Sequence, residues 1–301
     1  MEIKHSIDRA RHFVNHGIWL VDPEGFGRIR RNVIKSLKVV VLTIRTFSAE
    51  KIGFQSVALS FFCTMAVVPF VAVALAVTKG LGLSDKIEAM LYNYFPNNPD
   101  VIQNVMTYAD NILYKASSSL LGFISAVFFI WLVIWMMLCV ERVFNNVWKV
   151  REGRSFTTRF WRDTAIVFIS PFLMLVLYFS AILLSGALKI GAVKWLLMIT
   201  ASILVFSAMY KFIPNTYVEY RHALKAAIVS GIAFTAIQFV YVESQIFLTR
   251  LSGIYGAIAA IPFFMFWLNF SWYVILVGAE ISYAFQNVNK FNVDFLNETA
   301  G

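Results

Sequence analysis

Long apolar runs recur along this chain at the length needed to cross a lipid bilayer, and no other feature restricts its fold as strongly. A spanning helix needs about 20 predominantly apolar residues, because the hydrocarbon core is about 30 Å thick and each residue rises 1.5 Å. Six stretches qualify: 54–78, 120–140, 164–184, 195–212, 224–247 and 257–285. The fifth is interrupted in its second half by Gln238, Glu243, Ser244 and Gln245. Composition agrees, since 59% of the 301 residues are hydrophobic and 14% charged. Soluble domains average about 45–50% apolar and about 25% charged. The expected fold is an all-α polytopic membrane helix bundle of six transmembrane helices in one membrane domain.

The formal charge of +9 could suggest nucleic acid as a partner, but the placement of the charges indicates topology. With the N-terminus in the cytoplasm, inside segments hold twenty of the 26 basic residues and outside segments six. This matches the excess of Lys and Arg found in cytoplasmic loops. The expected location is therefore a bacterial inner membrane, multi-pass, with both termini cytoplasmic and no nucleic acid bound. Trp148, Trp161 and Trp195 fall near proposed span ends, where indole rings suit the headgroup zone. Residues 1–51 carry charge throughout, so no cleaved signal peptide is expected and the first span serves as the anchor.

Three regions fall outside the spans. In residues 27–47, Ile29, Val33, Leu37, Val40, Ile44 and Phe47 recur every three or four positions. Arg28, Arg30, Arg31, Lys35, Lys38 and Arg45 surround that stripe. Such a pattern reads as an interfacial helix lying on an anionic leaflet, or as an amphipathic helix packed on the bundle's own loops. Residues 80–117 contain two apolar sets split by Phe95-Pro96-Asn97-Asn98-Pro99-Asp100. Proline ends one short helix and Asn or Asp caps the next, so an external helical cap is expected. The divisions are thus a basic N-terminal segment (1–51), a membrane domain (52–286) and a short polar cytoplasmic tail (287–301).

Polar side chains at membrane depth are costly, which makes them candidates for function. Glu280 follows Gly278-Ala279 in the sixth span, with Asn269 three turns earlier on roughly the same face. Glu141 ends the second span and shares a face with Asn145 and Trp148, and Asn146 stands beside them. Gln55 opens the first span and Gln238 lies in the fifth, while Pro69 and Pro214 are expected helix breaks. Each carboxylate has a structural alternative, namely an ion pair that locks helix packing. No phosphate-binding glycine loop, zinc spacing or serine elbow occurs, and no catalytic residue, metal site or cofactor is expected. His12 and His16 are four apart with no acidic residue to complete a metal site, and His5 and His222 stand alone. Cys63 and Cys139 lie in apolar runs and read as small buried hydrophobes.

Several of these segments resemble the YihY/BrkB family of bacterial inner-membrane proteins. The resemblance runs through Ala58-Leu59-Ser60-Phe61-Phe62 with Pro69, then Glu141-Arg142-Val143-Phe144-Asn145-Asn146-Val147-Trp148. It continues with Tyr210-Lys211-Phe212-Ile213-Pro214-Asn215, Tyr255-Gly256-Ala257-Ile258, Trp267 and Gly278-Ala279-Glu280. Phe62 stands where a tyrosine is common, and the basic N-terminus is extended. The resemblance implies six spans, in agreement with the count above. It also brings an old ribonuclease BN label, regarded as a misassignment, a link to serum resistance, and a suggested transport role. The expected function is transport or flux of a hydrophobic or amphiphilic envelope molecule, with Glu280, Glu141, Asn146, Asn269, Gln55 and Gln238 along the path. The alternative is a non-transporting scaffold for envelope proteins; a membrane-bound ribonuclease would need clustered carboxylates around a divalent metal. Expected partners are membrane lipids, a second copy of the chain or envelope proteins.

Overall fold

The computed structural model describes residues 18–21, 27–49, 51–80, 119–150, 191–249 and 253–300, with positions 103, 107 and 111. Every regular element among them is helical: α1 (Ile18–Leu20), α2 (Arg28–Ala49), α3 (Ile52–Gly80), α4 (Ser119–Val147), α5 (Gly191–Phe212), α6 (Tyr220–Thr249) and α7 (Gly253–Ala300). Four apolar stretches among the described residues are long enough to cross a bilayer: Val127–Val147, Trp195–Phe212, Tyr220–Ser244 and Pro262–Asn289. A shorter apolar stretch, Ile52–Val67, opens α3. The chain is an all-α membrane helix bundle. The expected span at 164–184, the cap at 80–117 apart from positions 80, 103, 107 and 111, and Trp161, His5, His12 and His16 lie outside the described residues.

Two boundaries differ from expectation. α3 runs unbroken through position 69, so Pro69 does not end the helix. A proline removes one intrahelical hydrogen bond, and the bonds on either side can carry the helix across that gap. The proposed polar tail from Asn287 instead continues α7 to Ala300. At 1.5 Å per residue this 48-residue helix is about 70 Å long, roughly twice the hydrocarbon thickness. Loss of hydropathy marks where a helix leaves lipid, not where it stops.

The chain divides into two compact units, Ala58–Cys139 and the remainder. Within the first, Phe62 lies against Trp135 with ring centroids 6.4 Å apart. The Cys63 Sγ is 3.7 Å from the Met136 Sδ, and Cys63 and Cys139 are partly buried thiols outside any disulfide. The second unit centres on α6, which packs along both α5 and α7. Small residues allow that approach. A Cβ at Gly231 would lie 2.8 Å from the Ile203 side chain, and Ala226, Ala227 and Ser230 are buried on the same helix. Without a hydrophobic drive between helices in lipid, such close packing supplies much of the association.

α2 packs against α7 with Val39, Leu42, Thr43 and Thr46 inward. Val39 and Leu42 join Ile18, Trp19, Ala284 and Val288 in one apolar cluster. The sequence stripe points the other way: Ile29 is 81% exposed and Ile44 66%, with Val33, Leu37 and Val40 between them also exposed. Only its last member turns in, where Phe47 meets Tyr273 edge-on at 5.0 Å. Among the described residues, five large apolar side chains of the stripe therefore stand exposed rather than packed on the bundle.

Lys38 departs from its expected place at the membrane surface. It is 2% exposed, donates to the Val21 carbonyl at 2.9 Å and lies 5.8 Å over the Trp19 ring. Its position one turn before Leu42 puts it on the inward face, so the ammonium fastens α1 to α2. A left-handed Lys51 (φ 51°) then turns the chain from α2 into α3. An environment-sensitive fluorophore on Leu37→Cys is expected to shift to the blue when the protein enters liposomes. The same label on Asn32→Cys, an exposed polar position, should shift much less; equal shifts would place the stripe away from lipid.

Candidate functional site

Glu280 is fully buried, at 0% exposure, and its Oε2 accepts a 2.7 Å hydrogen bond from the Thr46 hydroxyl of α2. α7 places it nine residues before the end of its apolar stretch, with Ala279 and Ser282 also fully buried. A buried carboxylate is tolerated only with hydrogen-bonding partners to replace water. The Leu42 carbonyl lies 2.9 Å from the same hydroxyl, so the two acceptors share its single proton.

Glu141 belongs to a different group. It is 3% exposed and lies 3.5 Å from the Asn145 side-chain amide nitrogen one turn later on α4. The Asn145 Oδ1 accepts from the backbone N–H of Asn215 at 2.8 Å. Asn215 follows Pro214 in the connection from α5 to α6, where Pro214 marks a true helix end. Two segments far apart in sequence, 141–148 and 210–215, thus meet through Asn145. Asn146, the expected path residue, is exposed instead, because a one-residue step rotates it about 100° away from Asn145.

A third group joins α5, α6 and α7. Tyr210 is fully buried and donates to the Ser230 Oγ at 2.8 Å. Ser230 donates in turn to the Ala226 carbonyl at 2.7 Å. A Cβ at Gly278 would lie 2.0 Å from the Tyr210 hydroxyl and 2.6 Å from Ser230 Oγ, so no side chain fits there. Phe144 and Phe206 flank the Tyr210 ring at centroid distances of 6.4 and 6.2 Å.

Sequence reasoning missed Gln286, the last residue of the expected membrane domain. Its Oε1 accepts from the Glu219 N–H at 2.8 Å, and its Nε2 donates to the Tyr217 carbonyl at 2.9 Å. Lys211 donates to the Val218 carbonyl and lies 4.5 Å over the Tyr217 ring. Trp148, just past the end of the apolar stretch Val127–Val147, is buried and meets Tyr283 edge-on at 5.6 Å. α4 ends there with Val150 donating to the Asn145 carbonyl and Lys149 to that of Asn146, at 2.9 and 3.0 Å. Lys149 supplies the left-handed residue of this motif (φ 53°).

The remaining expected residues are dispersed. Gln55, Gln238 and Asn269 are partly buried, Arg30 and Arg31 are exposed and Lys35 is half-buried; the side chain of Arg28 lies outside the described residues. The Gln238 Oε1 is buried with no hydrogen-bonding partner from the chain among the described residues. No group of three or more His, Cys, Asp and Glu side chains among the described residues is arranged to hold a metal. Chemically, Glu280 with Thr46 can exchange a proton or hold a cationic group, whereas Asn145 and Gln286 fasten backbone.

Spanning helices packed on small residues, with a buried carboxylate and side chains tying down their connections, define a polytopic helical membrane protein. The chain matches the family Virulence factor BrkB over residues 43–299 and belongs to that family. It is 29% identical over 252 residues to a UPF0761 membrane protein of Janthinobacterium sp. (strain Marseille), covering 80% of this chain and 58% of that protein. A UPF0761 membrane protein of Chromohalobacter salexigens is 29% identical over 267 residues, covering 83% and 63%. One from Actinobacillus pleuropneumoniae serotype 5b is 25% identical over 272 residues, covering 86% and 97%. The chain thus spans less than two thirds of the length of the first two relatives. No solved structure matches it significantly.

Gly278→Ala is expected to lower thermal stability in detergent sharply, and Tyr210→Phe in that background should recover part of the loss by removing the hydroxyl. Asn145→Ala should cost about 1–3 kcal/mol by stripping a buried partner from a backbone N–H. Asn146→Ala, at an exposed position, should stay within about 0.5 kcal/mol. Denaturation of the two variants in mixed micelles checks the contrast.

Proposed function

We propose that this membrane protein moves a hydrophobic or amphiphilic envelope molecule across the bacterial inner membrane, with both its termini in the cytoplasm. The observation that carries this reading is Glu280, a carboxylate with 0% exposure on a spanning helix. An apolar side chain would fill that position at lower cost, since replacing buried charged groups with packed hydrophobes is often neutral or stabilising. Ionisable residues inside membrane segments mark substrate, ion or proton pathways. In this reading Glu280 and Asn269 line the path along α7, and Thr46 holds the carboxylate when the path is closed. Glu141 and Asn145 keep the end of α4 fastened to the Pro214 turn. The excess of basic residues on one side of the spans supports the orientation.

The test is made in liposomes containing the purified protein, following movement of a fluorescently labelled phospholipid between leaflets. Wild-type protein should accelerate that movement, and Glu280→Gln should slow it by about tenfold or more, equivalent to about 1.4 kcal/mol, with unchanged circular dichroism and melting. A rate no faster than in empty vesicles would reject unassisted phospholipid movement. Equal rates for variant and wild type would remove Glu280 from the path.

A further inference from the structure

We infer that a basic pocket between α2, α6 and α7 is a binding site for the phosphate headgroup of an anionic phospholipid. The pocket has a volume of about 470 Å³, within the usual range for a bound small molecule or headgroup. Arg31 and Lys35 enter it from α2 and Lys225 from α6, with His222 beside them. Asn32, Ser36 and Asn289 add neutral polar groups, and none of the described lining residues is acidic. Three permanent cations gathered in one concavity repel one another, and a multiply charged anion relieves that repulsion.

The pocket is shaped for something larger than a free ion. Val39, Phe285 and Val288 form an apolar part of its wall, continuous with the cluster that seats α2 on α7. Lys225 lies 5.5 Å over the Phe285 ring, and His222 stacks on the same ring at 6.5 Å, with planes 12° apart. Glu219 lies 3.3 Å from the His222 Nδ1. Phe285 therefore organises both basic residues of α6.

Position identifies the source of the phosphate. His222 and Lys225 lie in the first turns of the apolar stretch Tyr220–Ser244, and Val288 and Asn289 close the stretch Pro262–Asn289. The pocket thus opens at a membrane boundary, where lipid headgroups are concentrated. The helix that supplies Arg31 and Lys35 also carries the exposed stripe of Ile29, Val33, Leu37, Val40 and Ile44. Acyl chains beside that stripe bring their headgroups to the level of the cations. Basic pockets between spanning helices at this depth suit lipids with two phosphates, such as cardiolipin. The site is separate from Glu280 and does not depend on the transport reading.

The test uses the purified full chain, delipidated in detergent, with cardiolipin binding measured by native mass spectrometry and by the melting shift it causes. Phosphatidylethanolamine and soluble glycerol phosphate are the comparison ligands. Cardiolipin is expected to bind and raise the melting temperature, with little effect from either comparison ligand. Lys35→Ala with Lys225→Ala should weaken cardiolipin by about 25-fold, each basic side chain near a membrane contributing about a factor of five. Lys35→Arg with Lys225→Arg should retain binding and guards against loss through misfolding. Arg30→Ala, an exposed cation absent from the pocket lining, should change little. Equal weakening by Arg30→Ala and the double alanine variant would overturn the site in favour of diffuse surface attraction. Equal stabilisation by glycerol phosphate or phosphatidylethanolamine would overturn the anionic-lipid assignment.

Discussion

The hydrogen bond from Tyr210 to Ser230, made where Gly278 leaves no side chain in the way, joins α5, α6 and α7 at one level. In lipid these helices gain little by burying apolar surface, because lipid is as apolar as their own side chains. Close packing and interhelical hydrogen bonds must hold them, and both operate at this point. The phenol would be costly to bury without an acceptor, and Ser230 supplies one. Had position 278 any side chain, the tyrosine would be displaced and α7 would move away from α6. Glu280, two residues along, takes its depth and direction from that contact.

The end of the bundle near this junction solves a second problem of life in a membrane. Non-helical backbone at the edge of the hydrocarbon needs partners, and the connection from α5 to α6 receives them from three helices. Asn145 of α4 takes the Asn215 N–H, Gln286 of α7 takes the Glu219 N–H and the Tyr217 carbonyl, and Lys211 of α5 takes the Val218 carbonyl. The connection is consequently a fixed part of the bundle. That fixity gives α6 a defined starting point and sets His222 and Lys225 beside Phe285.

α2 links an exposed apolar stripe to the buried carboxylate. One face offers Ile29, Val33, Leu37, Val40 and Ile44 outward, and the other delivers Thr46 to Glu280. That hydrogen bond and the apolar cluster of Val39, Leu42, Ala284 and Val288 together hold α2 on α7.

The fold was largely legible in the chain. Spans at 195–212 and 224–247 and the amphipathic helix at 27–47 emerged from apolar length and periodicity, and the structure places α5, α6 and α2 over them. The candidate site was legible only in part. Glu280 stood out because a carboxylate in an apolar run is conspicuous, but Thr46, Ser230 and Gln286 are unremarkable residues in sequence. Asn146 was favoured over Asn145 because composition does not say which way a helix is turned. Lys38 was assigned to the surface by its charge, although its place on the helix face turned it inward to the Val21 carbonyl.

From its sequence alone this protein is determined to be a helical membrane protein with an amphipathic α2 and a carboxylate at membrane depth. Those properties depend on residues near one another along the chain and on the fixed thickness of a bilayer. Tertiary structure decided that the apolar stripe of α2 faces outward, that Glu280 meets Thr46, and that Arg31, Lys35 and Lys225 share one pocket. In lipid the rule of apolar-in and polar-out no longer orients a helix, so only the packing of helix on helix can choose which face meets which partner.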